Sequence, residues 1–457
     1  MEHNSLTEGA PWKGIFSFMM PVLLGLLLQQ LYNTVDTIIV GNFAGESQLA
    51  AVGACGVLTM AFLALANGFS AGACILIAQL FGAGRKEDMR RQASSSLVVM
   101  IIMGVAATAA GIMISGFALK VILATPASLI LMADTYFKIY AAGLIFQFGY
   151  NIVSAILRGI GDSKATLYFL LVASAVNVVL DIVFVYYLHM GVAGAAIATD
   201  IAQAFSCIVG FTYMMKKYPV FRWRIKEITY EKDLAVKTLK TGFPMALQQL
   251  IVSFGFVFIQ RAVNSYGEAM TASFSVAQKV ETYMTLPASA LMTTQGTFTG
   301  QNIGAGRLDR VMMGAKHTVL ISEIITAIIL IVVYVFAGPI VTAFGLGSEA
   351  MDYCIDHVRF VALSLPVFAS YFPLLGLFQG ANNALFSTLV ATGALTVRVA
   401  VTYLFQGIPG FGFHMVWWNT LFGWGFGFTL AWVHFLRGNW QKGMNYQYMN
   451  ETRRKIQ

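Results

Sequence analysis

Carboxylate and amide side chains occur within apolar stretches of this sequence, at spacings that place them on common helix faces. Gln29, Tyr32, Asn33 and Asp36 follow the spacing i, i+3, i+4 and i+7, so one helix face would carry all four. A carboxylate in an apolar surrounding is costly as a free anion and therefore tends to take up a proton or a cation. The chemistry that this pattern indicates is ion binding.

Two further apolar stretches carry polar groups of the same kind. Asn177 and Asp181 are spaced i and i+4 on one helix face, and Thr199 is followed directly by Asp200. Two carboxylates brought together in a low-dielectric pocket cannot both ionise without a cation, so such a pair would bind H+ or Na+. The alternative is that each aspartate only satisfies a buried hydrogen bond or lies in an aqueous vestibule.

The elements that must position these side chains are membrane-spanning helices. The 457 residues are 58% hydrophobic and 11% charged, which excludes an ordinary soluble domain. Apolar stretches of about 20 residues or more are long enough to cross a bilayer. We predict twelve such spans, at residues 15–40, 50–80, 94–119, 136–157, 165–188, 191–215, 243–263, 270–300, 317–340, 355–380, 386–406 and 413–436. The first span carries too many polar groups for a cleavable signal peptide and is expected to be retained.

The basic residues report orientation. Most of the 29 Lys and Arg residues lie near the two termini and in the loops after spans 2, 4, 6 and 8. By the positive-inside rule, these loops and both termini face the cytoplasm of a cell with the protein in its inner (plasma) membrane. The net charge of +8 therefore requires no nucleic-acid partner. We expect a monomer in the lipid bilayer.

The sequence also repeats internally. GESQLAAVG at 45–53 and AQLFGAGR at 78–85 correspond to GEAMTASFS at 267–275 and GQNIGAGR at 300–307, at an offset of 222 residues. An even number of spans in each half gives both halves the same orientation, an arrangement common among secondary transporters. The predicted domains are a six-helix lobe at 1–215, a basic linker at 216–240, a second six-helix lobe at 241–437 and a cytoplasmic tail at 438–457.

Several motifs together resemble the multidrug and toxic compound extrusion (MATE) family. These are PVLLGLLLQQLYNTVDTIIVG from Pro21 onward, the GAGR motif after span 2, RGIGDSK after span 4, and NVVLDIVF with GVAGAAIAT. The resemblance implies an all-α, V-shaped fold of two pseudo-symmetric six-helix bundles that exports large, often cationic amphipathic compounds in exchange for H+ or Na+. It implies no cofactor, and a cation or proton site at Asp36, Asn177, Asp181 and Thr199, with Na+ as the only metal ion considered.

Pro21 is associated in this family with a bend of the first helix, and a proline there would form a hinge because it removes a backbone hydrogen bond. The second half departs from sodium-coupled members, since its seventh span has no carboxylate. Coupling is therefore expected in the first half, with H+ preferred over Na+. Gln29, Tyr32 and Asn33 are expected to line a substrate cavity.

Lys279 and Glu281, in VAQKVETYMTLP, are ionisable residues of the second half that are less easily dismissed. Glu281 could compensate Arg398 structurally, or it could attract a cationic substrate in the cavity, because a charge within the membrane is usually paired or functional. Both interpretations stay open at this point.

Two other functions remain as alternatives. One is a flippase for a lipid-linked oligosaccharide or another amphiphile, although few basic residues lie within the spans to meet a pyrophosphate. The other is an intramembrane hydrolase, because GFSAG at 68–72 matches the G-x-S-x-G pattern around Ser70. A Gly/Ser/Ala cluster is also typical of close helix packing in lipid, and no strand precedes this one. We expect no enzyme activity and no catalytic residue.

Overall fold

The computed structural model describes residues 5–224 and 227–443; the predicted tail from 444 and linker residues 225 and 226 lie outside this part. Within it the chain is helical and contains no β-strand. The thirteen α-helices are α1 (Pro11–Ile39), α2 (Glu46–Gly82), α3 (Lys86–Phe117), α4 (Ala127–Ala142), α5 (Leu144–Gly159), α6 (Ser163–Asp181), α7 (Gly191–Lys217), α8 (Lys232–Asn264), α9 (Glu268–Gly304), α10 (Leu308–Thr342), α11 (Ser348–Gly380), α12 (Ala384–Phe405) and α13 (Met415–Leu436).

All twelve predicted spans are helical. The fourth is divided between α4 and α5, which meet at Gly143 with a bend of 44°. In the described residues, nine helices are long and apolar enough to cross a membrane, and the bent pair makes a tenth. The two other long helices are α9, which is rich in Thr, Ser and Gln, and α13, which carries several Trp and Gly residues. The all-α fold of twelve spans is confirmed.

The chain forms two compact units. Unit 1 contains Leu24–Leu247, and unit 2 contains Leu6–Leu23 together with the chain from Gln248 onward. Two continuous helices, α1 and α8, therefore each begin in one unit and end in the other. Pro21 lies inside α1 shortly before its change of unit, and Pro244 lies inside α8 shortly before its own.

Glycine allows two helices of unit 1 to approach closely. A Cβ atom added to Gly68 on α2 would lie 2.2 Å from the Cα of Ala246 on α8, and one added to Gly72 would lie 2.5 Å from the Cα of Gly242. Any larger residue would force the backbones apart. The glycines of the GFSAG motif are therefore explained by packing, as small residues at helix contacts in membranes usually are.

The basic linker contacts the start of α3 within unit 1. The hydroxyls of Ser94 and Ser95 accept hydrogen bonds from the backbone N–H groups of Thr229 and Glu231. The side chain of Trp223 is buried in the protein. The linker therefore docks on protein through its backbone and this aromatic side chain.

In unit 2, Arg310 near the start of α10 binds the chain segment that precedes α1. The buried guanidinium donates hydrogen bonds to the carbonyl oxygens of Leu6 (3.2 Å), Glu8 (3.0 Å) and Gly9 (2.8 Å). Its Nε donates to Asn302 Oδ1 at 3.0 Å, and Asn302 Nδ2 donates to the Leu6 carbonyl. This arginine anchors the entry to α1 inside unit 2.

Replacing this anchor is expected to destabilise unit 2. In Arg310→Gln the carbonyls of Glu8 and Gly9 lose the guanidinium donor and that of Leu6 keeps only Asn302, and each hydrogen bond to a charged group contributes about 1.5–3 kcal/mol. We expect the apparent unfolding temperature in detergent to fall by about 5 °C or more. Arg307→Gln is the matched control, because Arg307 is exposed and pairs only with Asp309 in the described chain. Equal unfolding temperatures for the two variants would contradict the anchoring role.

Candidate ion-binding site

Three helices of unit 1 bring the predicted site residues together. Asp36 lies in the last turn of α1, Asn177 and Asp181 lie near the end of α6, and Thr199 lies in α7. Asn177 and Asp181 are 1% and 0% exposed. Asn177 Nδ2 donates a 3.4 Å hydrogen bond to Thr199 Oγ1, which ties α6 to α7. The spacing on each helix thus translates into one polar cluster.

The site contains oxygen atoms that lack hydrogen-bond donors. Within the described residues, Asp36 Oδ1, Asn177 Oδ1 and both carboxylate oxygens of Asp181 are buried and accept no hydrogen bond. The carboxylates of Asp36 and Asp181 are close electrostatic neighbours. Buried acceptors are normally satisfied, and two neighbouring carboxylates in an apolar surrounding favour a proton or a cation, so this cluster is the candidate ion-binding site.

Aromatic hydroxyls surround this cluster. Tyr32 of α1 lies close to Thr199, Asp36 and Asp181, and α4 contributes Tyr140 beside Tyr32. Tyr136, also on α4, lies near Asp36. Neither α4 tyrosine was predicted from the sequence as part of the site. Their i, i+4 spacing was the only available signal, and such a pair on an apolar helix looks the same whether it faces lipid or a site.

A third carboxylate of unit 1 lies at the bend of the fourth span. Asp200 of α7 packs against Gly143, where an added Cβ atom would come within 2.0 Å of Asp200 Oδ1. Gly143 separates α4 from α5 at the 44° bend. The carboxylate thus occupies the space that the missing side chain leaves, next to Tyr140.

The remaining predicted residues are placed as follows. Gln29 and Asn33 are exposed, whereas Tyr32 and Asp36 on the same helix are partly buried. Pro21 is buried in the part of α1 that belongs to unit 2. Glu281 lies in α9 of unit 2 and is 9% exposed. It is thus separate from the polar cluster of unit 1.

The geometry around Ser70 is that of a packed helix. Ser70 lies within α2 and is 1% exposed, and its hydroxyl has no hydrogen-bond partner in the described part of the chain. A nucleophilic serine needs a base within hydrogen-bond reach and a strand-to-helix turn. The described residues provide neither.

The donor set of the unit 1 site suits a hard cation. Carboxylate, amide and hydroxyl oxygens favour H+ or an alkali ion, whereas transition metals favour imidazole and thiolate ligands. Among the residues that the structure describes, no group of three or more His, Cys, Asp or Glu side chains is arranged to hold a metal ion.

Comparison with known proteins identifies the family. The MatE family model matches residues 21–183 and again residues 244–404. The two matches follow the internal repeat. The chain belongs to the MATE family. It is therefore a multi-pass transporter of the plasma membrane, and transporters of this family are not enzymes.

Relatives and solved structures agree with this assignment. The chain is 29% identical to a probable multidrug resistance protein, YpnP, of Bacillus subtilis, over 90% of this chain and 96% of that protein. It is 25% identical, with a TM-score of 0.88 and 98% coverage of both chains, to the outward-facing conformation of a multidrug resistance MATE family transporter of the MOP superfamily. A MOP superfamily transporter from Pyrococcus furiosus, whose binding pocket is described as having reverse polarity, matches at 25% identity and a TM-score of 0.88 over 95% of this chain and 96% of that one.

The contact between Gly143 and Asp200 yields a test in this MATE transporter. Gly143→Ala is expected to destabilise the protein by about 1–3 kcal/mol, because the new Cβ overlaps the Asp200 carboxylate. In an Asp200→Ala background the same change should cost much less, since the overlapping atoms are gone. The apparent unfolding temperatures of the unaltered chain, Gly143→Ala, Asp200→Ala and the double variant measure this difference in stability.

Gly53→Ala is the control for that comparison, because no atom lies within 4 Å of a Cβ added at Gly53. It should leave the unfolding temperature near that of the unaltered chain. An equal loss of stability for Gly143→Ala with and without the Asp200 side chain would show that the contact does not matter.

Proposed function

We propose that this MATE transporter is a secondary active multidrug exporter that moves large, often cationic amphipathic compounds out of the cell in exchange for H+, with Na+ as the second choice. The substrate class comes from relatives named as multidrug resistance proteins and a multidrug export protein. Coupling to an ion gradient comes from the chemistry of the unit 1 site.

The observation that carries the coupling is the set of unsatisfied oxygens on Asp36, Asn177 and Asp181. Without an added positive charge, the two carboxylates would repel each other in an apolar surrounding and their oxygens would lack donors. One proton shared by the pair, or one Na+ among the oxygens, removes both costs. The site therefore has two states of very different energy, which is what coupling to an ion gradient requires.

H+ is preferred to Na+ because the donor set is small. A proton needs only one carboxylate oxygen and can serve the second by hydrogen bonding, whereas a metal cation generally takes several oxygen ligands at once. A Na+ site would form here only if four side chains turned toward one point: Asp36, Asp181, Asn177 and Thr199.

In the proposed cycle, ion binding at Asp36 and Asp181 in the outward-facing state rearranges α1 and displaces the substrate. Release of the ion to the cytoplasm then resets the site. Pro21 would serve as the hinge of α1, and Gln29, Tyr32 and Asn33 would contact the substrate on the face that they share with Asp36. Both termini would be cytoplasmic, with lobes at 1–215 and 241–437 joined by the linker at 216–240.

Neutralising the coupling carboxylates tests this proposal. In proteoliposomes, efflux of a cationic dye driven by an imposed pH gradient should fall at least about tenfold in Asp36→Asn and in Asp181→Asn, because an amide cannot exchange a proton. Dye binding to the purified variants reports whether the fold survives. Asp352→Asn, an exposed aspartate on α11, is the matched control.

The same vesicles with a Na+ gradient at equal pH distinguish the two ions. Efflux driven by pH alone supports H+, and efflux driven by Na+ alone supports the second choice. Full gradient-driven efflux by Asp36→Asn under both gradients would refute the coupling role of this site.

A substitution at Ser70 separates transport from the hydrolase alternative. Ser70→Ala should leave dye efflux unchanged to within about twofold, since the hydroxyl makes no hydrogen bond in the described chain and alanine fits the same space. Efflux from vesicles and the unfolding temperature are the measurements. Loss of function with an intact fold would reopen the hydrolase hypothesis. Vesicles containing a lipid-linked oligosaccharide instead of dye test the flippase alternative.

A further inference from the structure

Unit 2 buries ionisable side chains of its own, and the proposed coupling site in unit 1 makes no use of them. Glu281 on α9, Arg398 on α12 and His357 on α11 are 9%, 5% and 1% exposed. Charges at this depth are expensive and are usually paired or functional. The question is which of the two applies to Glu281.

Arg398 is held firmly by neutral partners. Its Nε donates to Asn419 Oδ1 at 2.8 Å, and its Nη2 donates to Thr420 Oγ1 at 2.9 Å, both on α13. The ring of Phe256 lies 5.3 Å from the guanidinium carbon. The aliphatic part of the Arg398 side chain fits here because residue 423 is glycine. A Cβ atom added to Gly423 would lie 2.3 Å from Arg398 Cγ. The guanidinium is thus a fixed positive charge.

Glu281 is bound much more loosely. Its Oε1 lies 3.7 Å from Arg398 Nη1, which is too far for a hydrogen bond. Its Oε2 is buried and has no hydrogen-bond partner among the described residues. If Glu281 served only to compensate Arg398, a direct charge-assisted hydrogen bond would be the expected arrangement. A proton bound to the carboxylate would give this unsatisfied oxygen the partner that it lacks.

The repeat gives an independent argument. At the 221-residue offset, Arg398 occupies in the second half the place that Asn177 has in the first. Both units therefore place a buried polar group at the same level of the corresponding helix, α6 in unit 1 and α12 in unit 2. Each group lies beside a carboxylate with an unsatisfied oxygen, Asp181 in one case and Glu281 in the other.

We propose that Glu281 is a second proton-binding site of this transporter, located in unit 2 and regulated by the fixed charge of Arg398. Protonation forms one O–H bond on the carboxylate and changes the pair from net neutral to net positive. A cationic substrate nearby would favour the neutral state and expel the proton. This proposal rests on the proposed exchange of cations for an ion gradient, but it concerns a different unit and a different residue.

The surroundings contain few competing ionisable groups. The stretch of α8 from 241 to 260 contains no acidic or basic residue. Arg398 on α12 is the charged group that acts on Glu281, and His357 and Tyr371 on α11 lie near Arg398. Elsewhere, α10 carries the partly buried Glu323 and α9 itself the exposed Lys279. The guanidinium is thus the nearest fixed charge that Glu281 meets.

Proton counting tests this second site. The full-length protein in proteoliposomes is given opposing gradients of pH and of a cationic dye, and the ratio at which net dye flux stops gives the number of protons exchanged per dye molecule. In Glu281→Gln that number should fall by about one while gradient-driven efflux continues. An unchanged number would overturn the proposal. Asp352→Asn should exchange the same number of protons as the unaltered transporter.

A second measurement covers the case in which Glu281→Gln folds poorly because Arg398 loses its counter-charge. The double variant Glu281→Gln, Arg398→Met buries no charge at this point. Dye binding to purified protein in weak buffer should release about one proton fewer from the double variant than from the unaltered chain. Equal release would overturn the proposal.

The outcome is separable from that of the unit 1 site. If Asp36→Asn transports normally but Glu281→Gln exchanges fewer protons, the second site stands and the coupling role of Asp36 falls. If Asp36→Asn abolishes gradient-driven efflux and Glu281→Gln exchanges the usual number of protons, the coupling role of Asp36 stands and the second site falls.

Discussion

The constraint on which the rest of this structure depends is that a polar atom buried in a membrane-spanning protein needs a partner. Helices satisfy the backbone, and Arg310 satisfies the carbonyls of the segment before α1. In unit 1, Asp36 Oδ1 and both carboxylate oxygens of Asp181 are among the buried polar atoms that have no hydrogen-bond partner in the described residues. The proposed coupling supplies these oxygens with a proton or a cation, because two carboxylates close together repel each other in an apolar surrounding. The helices of unit 1 hold this pair in place while leaving its hydrogen bonding incomplete.

The two halves of the chain share a repeat but not a chemistry. Where unit 1 has Asn177 and Asp181, the second half has Arg398 and Thr402 at the 221-residue offset. Thr402 is buried and donates to the backbone carbonyl of Arg398, so it needs no ion. Unit 2 carries a buried positive charge of its own at Arg398, whereas the proposed coupling in unit 1 takes its positive charge from solution. The duplicated fold has thus kept its helices, while a neutral buried group became positive and a carboxylate became a neutral hydroxyl.

The helices, and the clustering of Asn177, Asp181 and Thr199, follow from local spacing in the sequence, whereas the binding of an ion there stays a prediction. Apolar length defines a span, and i, i+4 spacing puts Asn177 and Asp181 on one face. The bend at Gly143 was not predicted, since a single glycine in an apolar span usually continues the helix. The 3.7 Å approach of Glu281 to Arg398 was not predictable either. Residues 117 positions apart meet only through the packing of several helices, which periodicity does not specify.

The division of α1 between the units explains how a local charge could have a distant effect. Its first part lies in unit 2, next to the segment anchored by Arg310, and its last part carries Asp36 in unit 1. Pro21 lies in the first part, shortly before the change of unit, and its missing backbone hydrogen bond lowers the cost of bending there. The second half repeats this arrangement, because α8 changes unit just after Pro244. In the proposed cycle, a change of charge at Asp36 would act on a helix that is anchored near its start and contains a proline. Such a helix converts ion binding into movement only if the anchor at Arg310 holds.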